Sequence, residues 1–285
     1  IASCLVGSEM CIRDRYSIIK GRERIMKKKK KISTERIISV CAVILFFAAW
    51  YLVTALELVD PKLIPTPKAT WDSFVEVLTQ GYKGHTLLQH LGTSMERLLK
   101  AFLLSVVTAV PLGLLSGFSS KIKAFVEPFI EFYRPLPPLA YYTLLTLALG
   151  IGNSSKIALL FLACFAPIYV ACVSAVARIK EDYINAAYTV GATRMQVFWS
   201  VILPSCAAEI FVGLRTAIGV AYSTLVAAEM VAASSGIGWM VVDAGNWFRN
   251  DIIFVGIFVM GFTGLFIDWL LKFLEKKLVP WSGKD

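Results

Sequence analysis

Residues 37–56 (IISVCAVILFFAAWYLVTAL) and 157–177 (IALLFLACFAPIYVACVSAVA) contain no charged side chain. Each supplies about the 20 apolar residues that cross a hydrocarbon core of roughly 30 Å. Residues 101–118, 135–155 and 252–271 approach that length, and Asp268 is their only charge. Residues 208–232 form a weaker run, interrupted by Glu209, Arg215 and Glu229. The chain of 285 residues is 57% hydrophobic and only 17% charged, too little charge for a soluble domain of this size. The pattern predicts an all-α polytopic membrane protein with six spans, near 37–56, 93–118, 127–149, 157–177, 208–232 and 252–272. Pro135, Pro137 and Pro138 interrupt the third of these.

The formal charge of +9 is not a nucleic-acid signature, because of where the basic residues sit. They cluster before the first span (Lys27 to Lys31, Arg36), at Lys121 and Lys123, at Arg178, Lys180 and Arg194, and at Lys272, Lys276 and Lys277. With six spans all four clusters fall on one side, which the positive-inside rule makes cytoplasmic. Both termini are then cytoplasmic. The opposite side carries a sparser set: Lys62, Lys68, Lys83, Lys156 and Arg249.

Cys41, Cys164 and Cys172 lie in spans, where cysteine acts as a small apolar side chain. His85 and His90 are five apart and have no cysteine pair nearby, so no metal site is expected. Residues 1–25 have no apolar core long enough for a signal peptide, and LVGSEMCIRDR (5–15) resembles translated sequencing-adaptor read-through. They read as a non-native or disordered leader, ahead of Met26 and a lysine run. The expected organisation is a basic cytoplasmic segment at 26–36, a transmembrane domain at 37–272 and a cytoplasmic tail at 273–285.

Between the fourth and fifth spans the chain turns small, polar and bent: EDYINAAYTVGATRMQVFWSVILP, residues 181–204. Glu181 and Asp182 suit a helix start. Ala186 and Ala187 support that helix, Gly191 permits a turn, and Thr193 can cap a second helix that Pro204 ends. An ordinary amphipathic connector has the same ingredients, and the residues alone leave both readings open.

The same stretch resembles the EAA loop of ABC-importer permeases. Ala186, Ala187, Gly191, Ala192, Phe198, Leu203 and Pro204 fall on the family pattern, and Asn185 stands where the family usually has glutamate. The resemblance extends over about residues 36–284, through YRPLPPLAYYTLLTLALGIG, TLVAAEMVAASSGIGWMV and KKLVPWSGKD, to the taurine, alkanesulfonate and nitrate permeases. It implies a type I importer architecture whose loop 181–204 is the coupling helix against a cytoplasmic ATPase. Asn185 removes one ionic contact from that docking. The implied partners are a second permease copy, two ABC ATPase subunits and a periplasmic or lipid-anchored substrate-binding protein, with the lipid bilayer around them. No G-x-x-x-x-G-K-[ST] occurs in the chain, so ATP and Mg belong on the partner and no cofactor is expected here. The implied place is the bacterial inner membrane.

For the path itself the fifth span offers Arg215, Thr216, Tyr222, Ser223, Thr224 and Glu229. An unpaired charge near mid-bilayer costs on the order of 3 kcal/mol, so Arg215 and Glu229 are expected to face protein or water. Snorkelling or a fixed ion pair explains either equally well. Gly113, Gly117, Gly256, Gly261 and Gly264 suit close helix contacts. Residues 64–78 read as a turn and an interfacial helix with Trp71 and Phe74 towards lipid. The expected cargo is a small sulfonate, taurine first, with other alkanesulfonates, nitrate or a small aromatic metabolite as alternatives. An ATP-independent secondary transporter would need an internal repeat, which is not visible. A membrane enzyme would need a convergent catalytic cluster.

Overall fold

A computed structural model describes residues 37–281, which form two compact units divided near Pro67. In the first, helix α1 (Ile37–Ala55) has the length and hydropathy of a span. The Thr54 hydroxyl donates to the Trp50 and Tyr51 carbonyls, both at 3.0 Å. The Trp50 indole donates to the Pro65 carbonyl at 3.1 Å, which folds the following loop back on the helix. The leader at 1–25, the basic segment at 26–36 and the last residues of the tail lie outside the described residues.

The second unit is helical. It comprises α2 (Pro67–Thr79), α3 (Leu87–Phe118), α4 (Ser120–Tyr133), α5 (Pro138–Leu149), α6 (Asn153–Ala177), α7 (Glu181–Thr189), α8 (Arg194–Val197), a π-helical turn (Phe198–Ile202), α9 (Leu203–Ala232), α10 (Ile237–Asn246) and α11 (Asn250–Leu278). Thr86 and Gln89 form a capping box that starts α3, six residues before the expected span. Among the described residues five helical segments are long and apolar enough to cross a membrane, with α8 to α9 counted as one. The third expected span is instead two shorter helices. Proline at 135, 137 and 138 denies the chain continuous backbone hydrogen bonding, so α4 stops at Tyr133 and α5 restarts with Pro138 in its first turn.

The core is a layer of α3, α6 and α9. Leu98, Ala101, Leu160, Cys164, Ile168, Cys172, Ala217 and Ala221 are buried there. Small residues set the spacing, because lipid supplies no hydrophobic drive between helices and close packing must hold them together. A Cβ on Gly113 would lie 2.6 Å from the Cys172 Cβ and 2.9 Å from the Tyr169 carbonyl oxygen, and one on Gly117 would meet Val176. Gly256 meets Val241 in the same way. Gly261 has open space around it, and Gly264 sees only the Tyr222 ring at ordinary contact distance, so these two do not set helix spacing here. Gly213 does, against Ala171.

At the end where α3, α6 and α11 begin and α9 stops, α2 and α10 close over the bundle. Val77, Tyr82, Leu87, Met240, Ala244 and Ile252 form a second core. Phe74 packs against it rather than towards lipid, while Trp71 stays exposed and stacks on Phe74 at 5.5 Å. Ser73 donates to Asp251 (2.6 Å), and Arg249 bridges Asp251 (2.8 Å) and Glu76 (3.0 Å). The Tyr82 phenol donates to Asp243 at 2.8 Å, and burial with that carboxylate raises its pKa well above the usual phenol value.

Candidate coupling loop and polar residues of the bundle

The loop at the opposite end is built as its sequence suggests, up to a point. Glu181 and Asp182 occupy the first turn of α7. Gly191 adopts a φ of +85°, where a side chain would be strained, and its N–H donates to the Tyr188 carbonyl at 2.9 Å. Thr193 caps α8 through a second capping box: its N–H donates to Gln196 Oε1 at 2.8 Å, and its hydroxyl accepts from the Gln196 N–H at 3.4 Å.

The expected stop at Pro204 does not occur. The helix widens into the π turn, where the Leu203 N–H reaches the Phe198 carbonyl five residues back, and continues as α9. A wide turn gives the proline ring room and tolerates its missing N–H, so the bulge absorbs what would otherwise break the helix. The helix that Thr193 caps thus runs through the π turn into α9 without a break.

The loop's faces are divided. Val197 and Ile202 are fully buried and anchor it, and Phe198 packs edge-on to Phe118 at 6.3 Å. Asn185, Ala186 and Gly191 are exposed, with Ala187 and Ala192 half-buried beside them. An open groove of about 430 Å³ runs between α7 and the π turn, lined by Ala187, Val190, Ala192, Val197 and Val201 among others. Val190 is 84% exposed, and Tyr183, Met195 and Trp199 are exposed as well. These apolar side chains are left uncovered on an otherwise polar loop.

The six polar residues picked out on α9 do not share a face. Arg215 turns to α11, bonding Asp268 at 3.1 Å and lying 3.8 Å from Glu275. Tyr222 also turns to α11, donating to the Met260 carbonyl (3.1 Å) beside the Thr263 hydroxyl. Thr216 and Ser223 are exposed, and each hydroxyl bonds its own helix, at Val212 (3.0 Å) and Val220 (2.8 Å). With Val212, Gly219 and Val220 they make one exposed stripe of small and polar residues. Thr224 is buried, its hydroxyl on the Val220 carbonyl at 2.8 Å.

Glu229 is fully buried in a network that the sequence did not disclose. Its carboxylate accepts from Arg97 (2.7 Å), from the Ser94 hydroxyl (2.7 and 3.0 Å) and from the Gly238 N–H (2.9 Å). Arg97 also donates to Asn153 Oδ1 (2.9 Å) and the Ser235 carbonyl (2.9 Å). His90 Nε2 faces the Tyr82 carbonyl at 3.1 Å, and Nδ1 accepts from the Gly236 N–H at 3.1 Å. Gly236 has a φ of +130°, and a Cβ there would fall on the Glu229 carboxylate. The network clamps the start of α10 to α3, α6 and α9. Arg97 and Glu229 are 132 residues apart, and the one signal within reach of sequence reading was that a charge at 229 near the end of a span needs a buried partner.

Comparison with known proteins identifies the family of this helical bundle. Residues 109–280 match the profile of the binding-protein-dependent transport system inner membrane component family. The chain is 36% identical over 266 residues to the taurine transport system permease protein TauC of Escherichia coli (strain K12), covering 93% of this chain and 97% of that one. It is 30% identical over 236 residues to the putative aliphatic sulfonates transport permease protein SsuC of Bacillus subtilis (strain 168), covering 83% and 84%. A structure of the MetNI methionine ABC transporter in inward-facing conformations superposes with a TM-score of 0.55 over 68% of this chain and 94% of that chain. At 18% identity this last likeness shows the fold alone. The chain belongs to the binding-protein-dependent inner membrane components of ABC transporters, in the taurine, sulfonate and nitrate permease group. It is therefore a multi-pass inner membrane component.

Proposed function

We propose that this chain is the membrane-spanning subunit of an ABC importer for a small sulfonate, taurine first. The observation that carries the reading is the exposed helix-turn-helix at 181–204, welded to α9 through the π turn. A partner that pushes on α7 and α8 moves the fifth span with them, which is what coupling ATP hydrolysis to transport needs. Two ATPase subunits hold ATP and Mg and dock on this loop; the permease does no chemistry of its own. Asn185, Ala186, Ala187, Gly191 and Ala192 form the docking surface, and Phe198 and Pro204 fix it to the bundle.

On this reading the α7–α8 end is cytoplasmic, with both termini on that side. The α4–α5 pair makes the third of six crossings, broken by its prolines. Two copies face each other, because a single unit of this size encloses little pathway. The exposed α9 stripe with Thr216 and Ser223 lines the path between them. Arg215, Tyr222, Thr224 and Glu229 hold the helices that shape it. An external binding protein delivers the cargo at the α2–α10 end.

Taurine is favoured by the near full-length match to a taurine permease, and the sulfonate relative supports the broader class. Nitrate and small aromatic metabolites are the other candidates. The test is co-expression with the ATPase and binding-protein genes of the same DNA fragment, followed by reconstitution. ATP hydrolysis and uptake should rise with taurine above longer alkanesulfonates and nitrate. A different best ligand removes taurine and keeps the importer. Scrambling residues 181–203 should abolish co-purification of the ATPase while the permease itself is still recovered folded. An unchanged ATPase yield from the scrambled chain refutes the coupling assignment.

A further inference from the structure

We infer that the buried polar cluster where α6 begins and α9 ends is a binding site for one small monovalent anion, held by Lys156 and the Tyr142 hydroxyl. Three charges meet in this region. Arg97 is 5% exposed, Lys156 2% and Glu229 0%. The single carboxylate is taken by Arg97 at 2.7 Å, and its other lone pairs by Ser94 and the Gly238 N–H. When protonated, Lys156 carries a positive charge that no carboxylate takes. Its ammonium bonds the Gly152 carbonyl at 3.2 Å and, among the described residues, forms no ion pair. A buried ammonium has three donors to satisfy and a large desolvation cost to offset.

Two further features point the same way. Gly152 is the N-cap of α6 and offers no side chain to the first-turn N–H groups, so the positive end of a 25-residue helix opens on the same place. The Tyr142 hydroxyl is buried beside Ser155, and among the described residues no hydrogen bond of good geometry satisfies it. Ser155 gives its own proton to the Gly152 carbonyl at 3.1 Å. With Lys156 protonated, the spare groups are donors around a positive charge that has no ion pair among the described residues. That combination fits a single negative charge with acceptor lone pairs: a halide, nitrate or the headgroup of a sulfonate. A dianion would leave the opposite imbalance. Asn153 and Ser154 are exposed at the head of α6. The alternative resolution is a lysine that has lost its proton, which requires no anion.

Thermal unfolding of the full-length chain in detergent separates the two. The background salt is sodium gluconate, and chloride, nitrate, methanesulfonate and taurine are each titrated at constant ionic strength. The wild type should show a saturable rise in unfolding temperature with at least one of these. Lys156→Met should weaken that response roughly tenfold or more, without lowering the unfolding temperature in gluconate, because the variant no longer buries a charge. Tyr142→Phe, which keeps the ring, should weaken it several-fold and carries the test if the lysine variant does not fold. No response above gluconate in the wild type overturns the site, as does an undiminished response in both variants. A response to methanesulfonate and taurine far above chloride makes the anion the cargo headgroup. An equal response to chloride makes it a structural counter-ion. The site stands on burial and charge, and loss of the taurine assignment would leave it intact.

Discussion

Replacing Glu229 with alanine should destabilise the fold by about 3–5 kcal/mol, because it strands the Arg97 guanidinium in the protein interior. Arg97 is 5% exposed and, among the described residues, is left with the Asn153 amide oxygen and the Ser235 carbonyl to bond. Neither is charged. The loss reaches beyond the pair. Ser94 donates to Glu229 and accepts from the Ile237 N–H at 2.9 Å, and the Gly238 N–H also ends on this carboxylate. Without Glu229 the first turn of α10 loses its negative partner, against the sense of its dipole. The double variant Arg97→Met/Glu229→Leu should recover much of the stability, since removing both charges also removes the desolvation cost. Unfolding of the two single variants and the double variant in mixed micelles forms the cycle. Additive effects would mean the pair does not interact, and the clamp on α10 would have to be abandoned.

Gly113→Leu should prevent the α3–α6 interface from closing. The glycine lies against the Tyr169 carbonyl oxygen and the Cys172 Cβ, on the backbone side of α6, where no side-chain rotation can make room. The added atoms can be accommodated only by moving a helix. Overpacking in a filled core costs about 1–3 kcal/mol, and a backbone neighbour places this position at the upper end. Separating α3 from α6 would also strip the Ser105 hydroxyl from the Phe161 carbonyl (2.9 Å). Gly261→Leu is the matched control: the same change in a span of similar character, with nothing within 4 Å of the new Cβ. Gel-filtration recovery and unfolding temperature of the two variants in one detergent should differ clearly. Equal behaviour would show that glycine packing does not set the α3–α6 distance.

Gly113 and Gly261 also show where reading the chain reached its limit. Both are glycines in apolar helices, and nothing local tells them apart; the difference is whether another helix passes within van der Waals distance. Sequence determined what depends on neighbours a few residues away. The apolar runs mark helices because hydrocarbon offers backbone groups no other partner. Thr193 announces a helix start because a cap closes within one turn, as its box with Gln196 does. Gly191 marks a turn because its φ of +85° excludes a Cβ. The loop 181–204 was legible for the same reason, as was the interruption at Pro135 to Pro138.

Tertiary structure decided the rest. Pro204 breaks a helix considered alone; here the π turn carries the chain through, and Val197 and Ile202, buried against the bundle, hold it in that shape. Six polar residues on one span read as a single path until helix packing sorted them onto three faces, two turned inward and one left open. The Arg97–Glu229 pair joins positions 132 apart, and only the packing of α3 against α9 brings a cation and an anion together out of water. Burial of a charge is a property of the assembled helices, which is why no local pattern announced it.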